Sequence, residues 1–371
     1  MVVNELTLVG FRNYKKVTAR FADGVNVICG RNAQGKTNLI EAVFYLAAGR
    51  SLRSTADRDM INFKQEKAEI KASVISAERE QTIEAKLIRG KRRELFANGA
   101  KLKNASELSG RLTAVEFGPD DLDMIKGGAA IRRKLMDNCL SQLRPGYLKA
   151  LTEYNRLYEH KTRILKDNNE KPSLLDLLDD FNYQLAKQSA KLIYYRSAFS
   201  GGMSRRASII HGEFTEGAET LTINYKTVGG MSVADKKPEE ILPGLLEHQR
   251  EHRDSELRTG LCLSGAHKDD LEIEINGASA RKYASQGQVR TASISIKLAE
   301  RDIHYDDRGE YPVLLLDDVL SELDSSRQSY ILSKITNGQV LITCCDEDIA
   351  ARSSGNAVLR VNNGELFCVS G

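Results

Sequence analysis

The segment Gly30-Arg31-Asn32-Ala33-Gln34-Gly35-Lys36-Thr37 constrains this chain more than any other. It fits the pattern G-x-x-x-x-G-K-[ST], and its neighbours supply the context that the pattern requires. Val25-Asn26-Val27-Ile28-Cys29 reads as a strand before it, and an apolar helix from about Lys36 to Ala48 follows it. The glycines allow the backbone to turn its N–H groups inward around phosphate oxygens. The helix N-terminus adds a partial positive charge. Lys36 would reach the β- and γ-phosphates of ATP, and the Thr37 hydroxyl would ligate Mg²⁺. A chance glycine-rich turn is the plain alternative, and the strand before and helix after argue against it.

Three further motifs lie in the last hundred residues. Leu314-Leu315-Leu316-Asp317-Asp318 places carboxylates at the end of a buried strand. Asp317 would hold Mg²⁺ directly or through water, and Asp318 would orient or deprotonate an attacking water. Upstream, Ser285-Gln286-Gly287-Gln288 opens an apolar-periodic helix. A serine hydroxyl, a glycine N–H and a helix N-terminus make a second anion site, and Ser-x-Gly-Gln is the core of the ABC signature. An ordinary N-cap serine explains this stretch taken alone; its order and spacing before Asp317 favour the signature. Ser321-Glu322-Leu323-Asp324 resembles the D-loop of the same class.

At 371 residues the chain exceeds the roughly 250–300 that one core serves, so two domains or one domain with a large insertion is expected. Residues 2–10 read as a strand, and 69–75, 81–88 and 93–97 alternate in the strand manner, with a hairpin turn at Asn98-Gly99. After Pro119 the pattern becomes helical. Leu148, Leu151, Tyr154, Tyr158 and Leu165, then Leu174, Leu178, Phe181, Leu185 and Leu192, predict a helical hairpin closed by a polar turn at 167–173. A strand at 221–226 and a polar helix near 239–258 follow. Strand patterns return at 271–276, 313–317, 339–343, 357–361 and 365–369, with a helix from about Gln288 to Arg301. The expected fold is α/β: an ABC-type P-loop ATPase head, with a mixed sheet and an antiparallel β-subdomain, plus a mostly helical inserted lobe. The boundaries are 1–118 for the N-terminal head part, 119–261 for the lobe and 262–371 for the C-terminal head part.

No run of about 18 apolar residues could span a membrane, and the start lacks a signal-peptide core. The six cysteines form no C-x-x-C pair, which gives zinc little support and fits a reducing cytoplasm. Adjacent Cys344 and Cys345 read as residues at a strand end rather than a redox pair. His248 and His252 share a helix face without a third ligand nearby, so a solvent-facing helix is favoured over a metal site. A net charge of +3 neither demands nor excludes nucleic acid, so local clusters must decide. Three stand out: Arg89 with Lys91, Arg92 and Arg93; Arg132, Arg133 and Lys134; and Arg205 with Arg206.

Several segments go beyond generic ABC features. Leu8–Tyr14, Gly49-Arg50-Ser51 with Arg53, Phe117–Leu122, Lys126-Gly127, Arg132–Asp137, Ser264–Asp270, Ala284–Thr291 and Leu315–Asp324 together resemble the RecF family of SMC-like ATPases, over nearly the whole chain and most thinly from about 140 to 260. The resemblance implies an ATP-dependent homodimer and binding to gapped DNA or single/double-strand junctions. It also implies slow ATP hydrolysis and work with RecO and RecR in loading recombinase, and it turns some of the basic clusters toward DNA. ATP would lie on Gly30–Thr37, with Mg²⁺ on Thr37 and Asp317. Lys36 and Asp318 would serve hydrolysis, while Ser285, Gly287 and Gln288 would meet the nucleotide of the other subunit. There are departures. Gly128-Ala129-Ala130 lacks the usual proline. Asp318 stands where generic ABC ATPases carry glutamate, although the RecF family shares the Asp-Asp pair. No glutamine occupies 113–120, and no histidine follows 339–343, where Thr343 would fill the switch position. A transporter's nucleotide-binding subunit would predict those two residues and a shorter insertion. A small-molecule P-loop kinase would leave Ser285–Gln288 and Ser321–Asp324 unexplained.

Overall fold

The computed structural model describes all residues except 52, 54–55, 78, 168–171, 346–356 and 371. The polar turn expected at 167–173 falls largely outside them. The chain divides into two compact units, residues 1–123 with 286–371, and residues 124–285. Sequence patterning puts the boundaries at 118/119 and 261/262; the structure keeps 119–123 in the first unit and assigns 262–285 to the inserted unit.

The first unit begins with β1 (Val2–Phe11), β2 (Tyr14–Arg20), β3 (Val25–Cys29), α1 (Lys36–Ala48), β4 (Lys67–Ser76), β5 (Arg79–Ile88), β6 (Glu94–Ala97), β7 (Ala100–Lys101), β8 (Ala114–Phe117) and α2 (Pro119–Leu122). The inserted unit carries α3 (Ala129–Leu143), α4 (Pro145–Asp167), α5 (Leu178–Phe214), β9 (Leu221–Lys226), α6 (Pro238–Thr259), β10 (Asp270–Ile275), β11 (Ala278–Ser279) and α7 (Ala280–Tyr283). The first unit resumes with α8 (Gln286–Arg308), β12 (Val313–Asp317), α9 (Ser325–Lys334), β13 (Val340–Cys344), β14 (Ala357–Asn362) and β15 (Glu365–Ser370).

In the first unit, one sheet has the order β15-β14-β3-β13-β12-β8, parallel throughout except for β14 with β15. The other is antiparallel, β2-β1-β4-β5-β6-β7. Helix α1 touches strands of both, which is why it is apolar nearly all round and buried from Leu39 to Ala48. Strands β12 and β13 are buried at every position, as their continuous apolar runs require. Strands β2 and β8 were not read from the sequence. β2 carries Lys16 and Arg20 on the open face of an edge position and Lys15, also exposed, interrupts the apolar face, and the four residues of β8 are too few for a periodic signal.

In the inserted unit, α4 and α5 form the expected hairpin, with Tyr147, Leu151 and Tyr154 of α4 and Leu185 and Leu192 of α5 buried. Helix α5 continues for 37 residues, through Gly201-Gly202. Glycine lowers helix propensity by about 1 kcal/mol per residue, so contacts with α6 and β9 carry this stretch. The unit is not purely helical: β9, β10 and β11 form an antiparallel sheet, and the pairing of β10 with β9 draws 270–275 into it. Buried Arg196 organises the middle of the unit. It donates to Tyr147 Oη (2.9 Å), the Ala266 carbonyl (2.6 Å), Asp269 (2.9 Å) and Asp137 (2.9 Å).

Candidate nucleotide-binding site

Strands β3, β13 and β12 lie side by side and parallel, so their C-terminal ends converge, the usual place for a ligand in such sheets. The loop 30–35 leaves β3, Asp317 ends β12, and Thr343 is its register partner on β13. The loop's conformation requires glycine at both ends. Gly30 has φ 154° and a Cβ there would stand 2.5 Å from the Val361 carbonyl oxygen; Gly35 has φ 120° and its Cβ would meet Asn13 Nδ2 at 2.7 Å. The β1–β2 turn braces the loop from outside. Asn13 Nδ2 donates to the Gln34 carbonyl (2.7 Å) and Tyr14 Oη to the Gly35 carbonyl (2.9 Å). The Gln34 side chain faces away, accepting the N–H of Asn363 at 2.6 Å.

Asp317 is the hub. Its Oδ1 accepts the hydroxyls of Thr37 and Thr343, each at 2.8 Å, and its Oδ2 pairs with Arg53 Nη2 at 3.0 Å. The Thr343 oxygen in turn accepts the N–H of Asp318 at 2.9 Å. Asp318 adopts a left-handed backbone with φ 53°, a conformation aspartate tolerates better than most residues. Burial raises its carboxyl above the usual range, the nearby Lys36 ammonium opposes this, and the Asp317 charge adds to it. Lys36 folds onto the Gly30 (2.7 Å) and Arg31 (3.3 Å) carbonyls and the Cys345 thiol (3.2 Å).

Asn32, Ala33, Lys36, Thr37, Arg53 and Asp318 are among the residues lining a cavity of about 160 Å³. Among the described residues no group accepts from the backbone N–H of Ala33, Gln34, Gly35, Lys36 or Thr37. Free loop donors, one ammonium and the hydroxyl–carboxylate pair fit a polyphosphate with a hard divalent cation.

Two of the signature residues lie outside this cavity's lining. Gly287 and Gln288, in the first turn of α8, do not line it, and Ser285 immediately precedes α8 in the other compact unit. Arg327 on α9 ties the first turn of α8 to the D-loop. Its guanidinium donates to the Gly287 carbonyl (3.0 Å) and Thr291 Oγ1 (3.0 Å) and pairs with Asp324, whose carboxylate also caps α9. Arg327 belongs to no motif visible in the sequence. The i,i+3 spacing to Asp324 is visible along the chain, but its reach to Gly287 is not. Ser321 completes the turn by donating to the Asp318 carbonyl at 2.6 Å.

Other candidates resolve as follows. Arg132 is buried, forked onto Asp270 (2.7 and 2.9 Å) with its third nitrogen on the Met124 and Gly127 carbonyls (2.9 Å each). It is therefore a structural clamp and not a surface contact, and it secures the turn where the proline is absent. Arg93 pairs with Asp57 and donates to Tyr45 Oη, whereas Lys91 and Arg92 are exposed. All six cysteines are free; Cys344 is buried at the end of β13 and Cys345 is exposed. The rings of His248 and His252 stack at 4.0 Å, with His248 Nδ1 on Ser264 Oγ. Among the described residues they belong to no metal-ligand cluster. Nor is any described helix long and apolar enough to cross a membrane.

A P-loop after one parallel strand, a carboxylate pair at the end of the next strand but one, a signature helix and a D-loop define an ABC-type ATP-binding head of the SMC class. The model of the RecF/RecN/SMC N terminal domain matches residues 2–366. The DNA replication and repair protein RecF of Acetivibrio thermocellus is 38% identical over 370 residues, covering 99% of this chain and 100% of that one. The Clostridium tetani protein of the same name is 37% identical over 371 residues, again covering 99% and 100%. Among solved structures, a recombination mediator protein RecF of the RecFOR pathway, in its ATPrS form, superposes with a TM-score of 0.92 at 33% identity, covering 100% of this chain and 98% of its own. The ATP form gives 0.89 at 34%, covering 99% and 97%. An Smc head bound to the C-winged helix domain of ScpA shares the fold alone, at 17% identity and a TM-score of 0.56 over 100% of this chain and 98% of its own. The chain belongs to the RecF family of DNA replication and repair proteins.

Proposed function

We propose that this protein is an ATP-gated, dimerising DNA clamp of recombinational repair. The observation that carries the reading is the division of the site: a phosphate cradle with its carboxylates, and a signature turn, tied by Arg327 to the D-loop, whose Gly287 and Gln288 do not line that cavity. Two copies related head to tail would each complete the other's site. Gly30, Arg31, Asn32, Ala33, Gln34 and Gly35 present backbone donors, and Lys36 turns from its carbonyls to the β- and γ-phosphates. Thr37 and Asp317 would hold Mg²⁺, with Arg53 giving up its place on Asp317. When held there, Mg²⁺ would supply charge compensation for the phosphate oxygens. Ser285, Gly287 and Gln288 of one copy meet the γ-phosphate in the other, where Gly287 lies at the start of a helix able to receive an anion. Asp318 positions the attacking water. It is one methylene shorter than glutamate, which supports slow turnover suited to a timer. The closed dimer grips gapped or junction DNA, and the RecFOR pathway named for the solved relatives supports RecO and RecR as partners in recombinase loading.

The test is binding to a gapped duplex with and without ATP and Mg²⁺, comparing the intact chain with Lys36→Met. Binding that requires ATP and fails in the variant is expected; equal binding in all arms refutes the gate. Ser285→Arg should retain ATP binding and lose ATP-driven dimerisation, and dimers that persist would refute the role of the signature between subunits.

A further inference from the structure

We propose that the turn Asn62–Gln65 is a base-stacking wedge for the single/double-strand step of DNA, with Phe63 lying on the terminal exposed base. This rests on the DNA reading above and adds to it the residue that recognises the step. Phe63 is 96% exposed, the highest value among the large apolar residues described. A lone surface apolar residue is ordinary, so its mounting and its neighbours carry the argument.

The mounting is rigid. The N–H of Asn62 donates to the Gly10 carbonyl (2.8 Å), and its side chain donates to the Arg12 carbonyl (2.7 Å) and accepts from Lys64 N–H (3.0 Å). Gln65 N–H closes the turn on the Asn62 carbonyl at 2.9 Å. Arg89 braces it from the β5–β6 turn, donating to the carbonyls of Gln65 (3.1 Å) and Asn62 (3.4 Å). The ring is therefore held outward. The neighbours are cationic. The turn, its flanks and the bracing segment present Arg58, Lys64, Lys67, Arg89, Lys91 and Arg92 against Asp59 and Glu66, six cations to two anions. Lys91 and Arg92 also line an open cavity of about 540 Å³, where Arg93, Lys101 and Lys103 outnumber Asp57 and Glu94.

A protein anchor would be ringed by apolar contacts that exclude water. A single aromatic plane among cations is the composition that binds stacked bases and flanking phosphates. Duplex interior offers the ring no free base face, whereas a strand end or gap does, so the wedge would act on the step and not on duplex in general. Arg12 also links it to the nucleotide site, since Asn13 in the same β1–β2 turn holds the P-loop.

The test uses the full chain with ATP and Mg²⁺, a gapped duplex carrying 2-aminopurine at the step, and an unbroken duplex of equal length. Phe63→Ala should weaken gapped-DNA binding about tenfold, abolish the 2-aminopurine response and leave unbroken-duplex binding unchanged. Phe63→Trp should restore both. Lys91→Ala with Arg92→Ala should weaken both DNAs alike and lower the salt slope by about two. If the intact chain binds gapped DNA and Phe63→Ala keeps its gapped-to-duplex ratio and fluorescence response, the wedge is refuted while the DNA reading stands. If the intact chain binds no DNA, both fall.

Discussion

Thr343→Val isolates the hydroxyl that joins Asp317 to the Asp318 backbone. The Thr343 hydroxyl spends its one proton on Asp317 Oδ1 and receives the Asp318 N–H, and the residue is 1% exposed. Valine has nearly the same shape, so no cavity term arises and the change is purely one of hydrogen bonding. Removing a donor from a carboxylate costs about 1.5–3 kcal/mol. Leaving the Asp318 N–H without a partner costs about 1–3 kcal/mol more, at a residue already in a sparsely populated backbone region. The expected loss is about 3–5 kcal/mol in urea unfolding followed by circular dichroism. Thr343→Ser keeps the hydroxyl, removes one methyl group and should lose only about 1 kcal/mol. ATP hydrolysis should fall in the valine variant more than ATP affinity, because the P-loop cradle is untouched while both carboxylates lose their register. A valine variant within about 1 kcal/mol of the parent, hydrolysing ATP at the parental rate, would refute the reasoning.

Arg327→Ala should uncouple the first turn of α8 from the D-loop. ATP binding by the monomer should persist and ATP-driven dimerisation, followed by sedimentation, should weaken at least tenfold; unchanged dimerisation counts against the tie. Acid should destabilise the inserted unit through His267. Its Nε2–H donates to the Cys262 carbonyl (2.9 Å), so Nδ1 must accept from Tyr154 Oη (2.6 Å), and burial lowers its pKa to about 4. The folded value lies below the unfolded one near 6.5, so stability present above pH 6.5 drains as pH falls toward 4, by about 2 kcal/mol between pH 7 and pH 5. Urea midpoints at the two pH values should therefore converge in His267→Gln, and parental pH dependence in that variant excludes His267 as the cause.

The parts legible in the sequence were those governed by near neighbours. The P-loop and the helix after it fell where the glycines, lysine and apolar run put them, and the structure returns α1 at Lys36–Ala48. The hairpin turn at Asn98-Gly99 followed from residues that accept positive φ, as both do. The buried strands β12 and β13 were visible as apolar runs. What stayed hidden depends on partners far along the chain. Thr37 meets Asp317 across 280 residues, and Thr343 reaches the site only because β13 lies between β3 and β12. Arg53 and Arg327 acquire their roles in the same way, through carboxylates and carbonyls that no local pattern relates to them. Arg132 sits in a charged run that suggests a surface, yet Asp270 turns it inward. Sequence by itself thus determined which local pieces this protein has and which chemistry they can carry, because backbone geometry and periodicity act over a few residues. Tertiary structure decided which carboxylate, hydroxyl and cation share a site, because strand order and register bring together residues that are hundreds of positions apart.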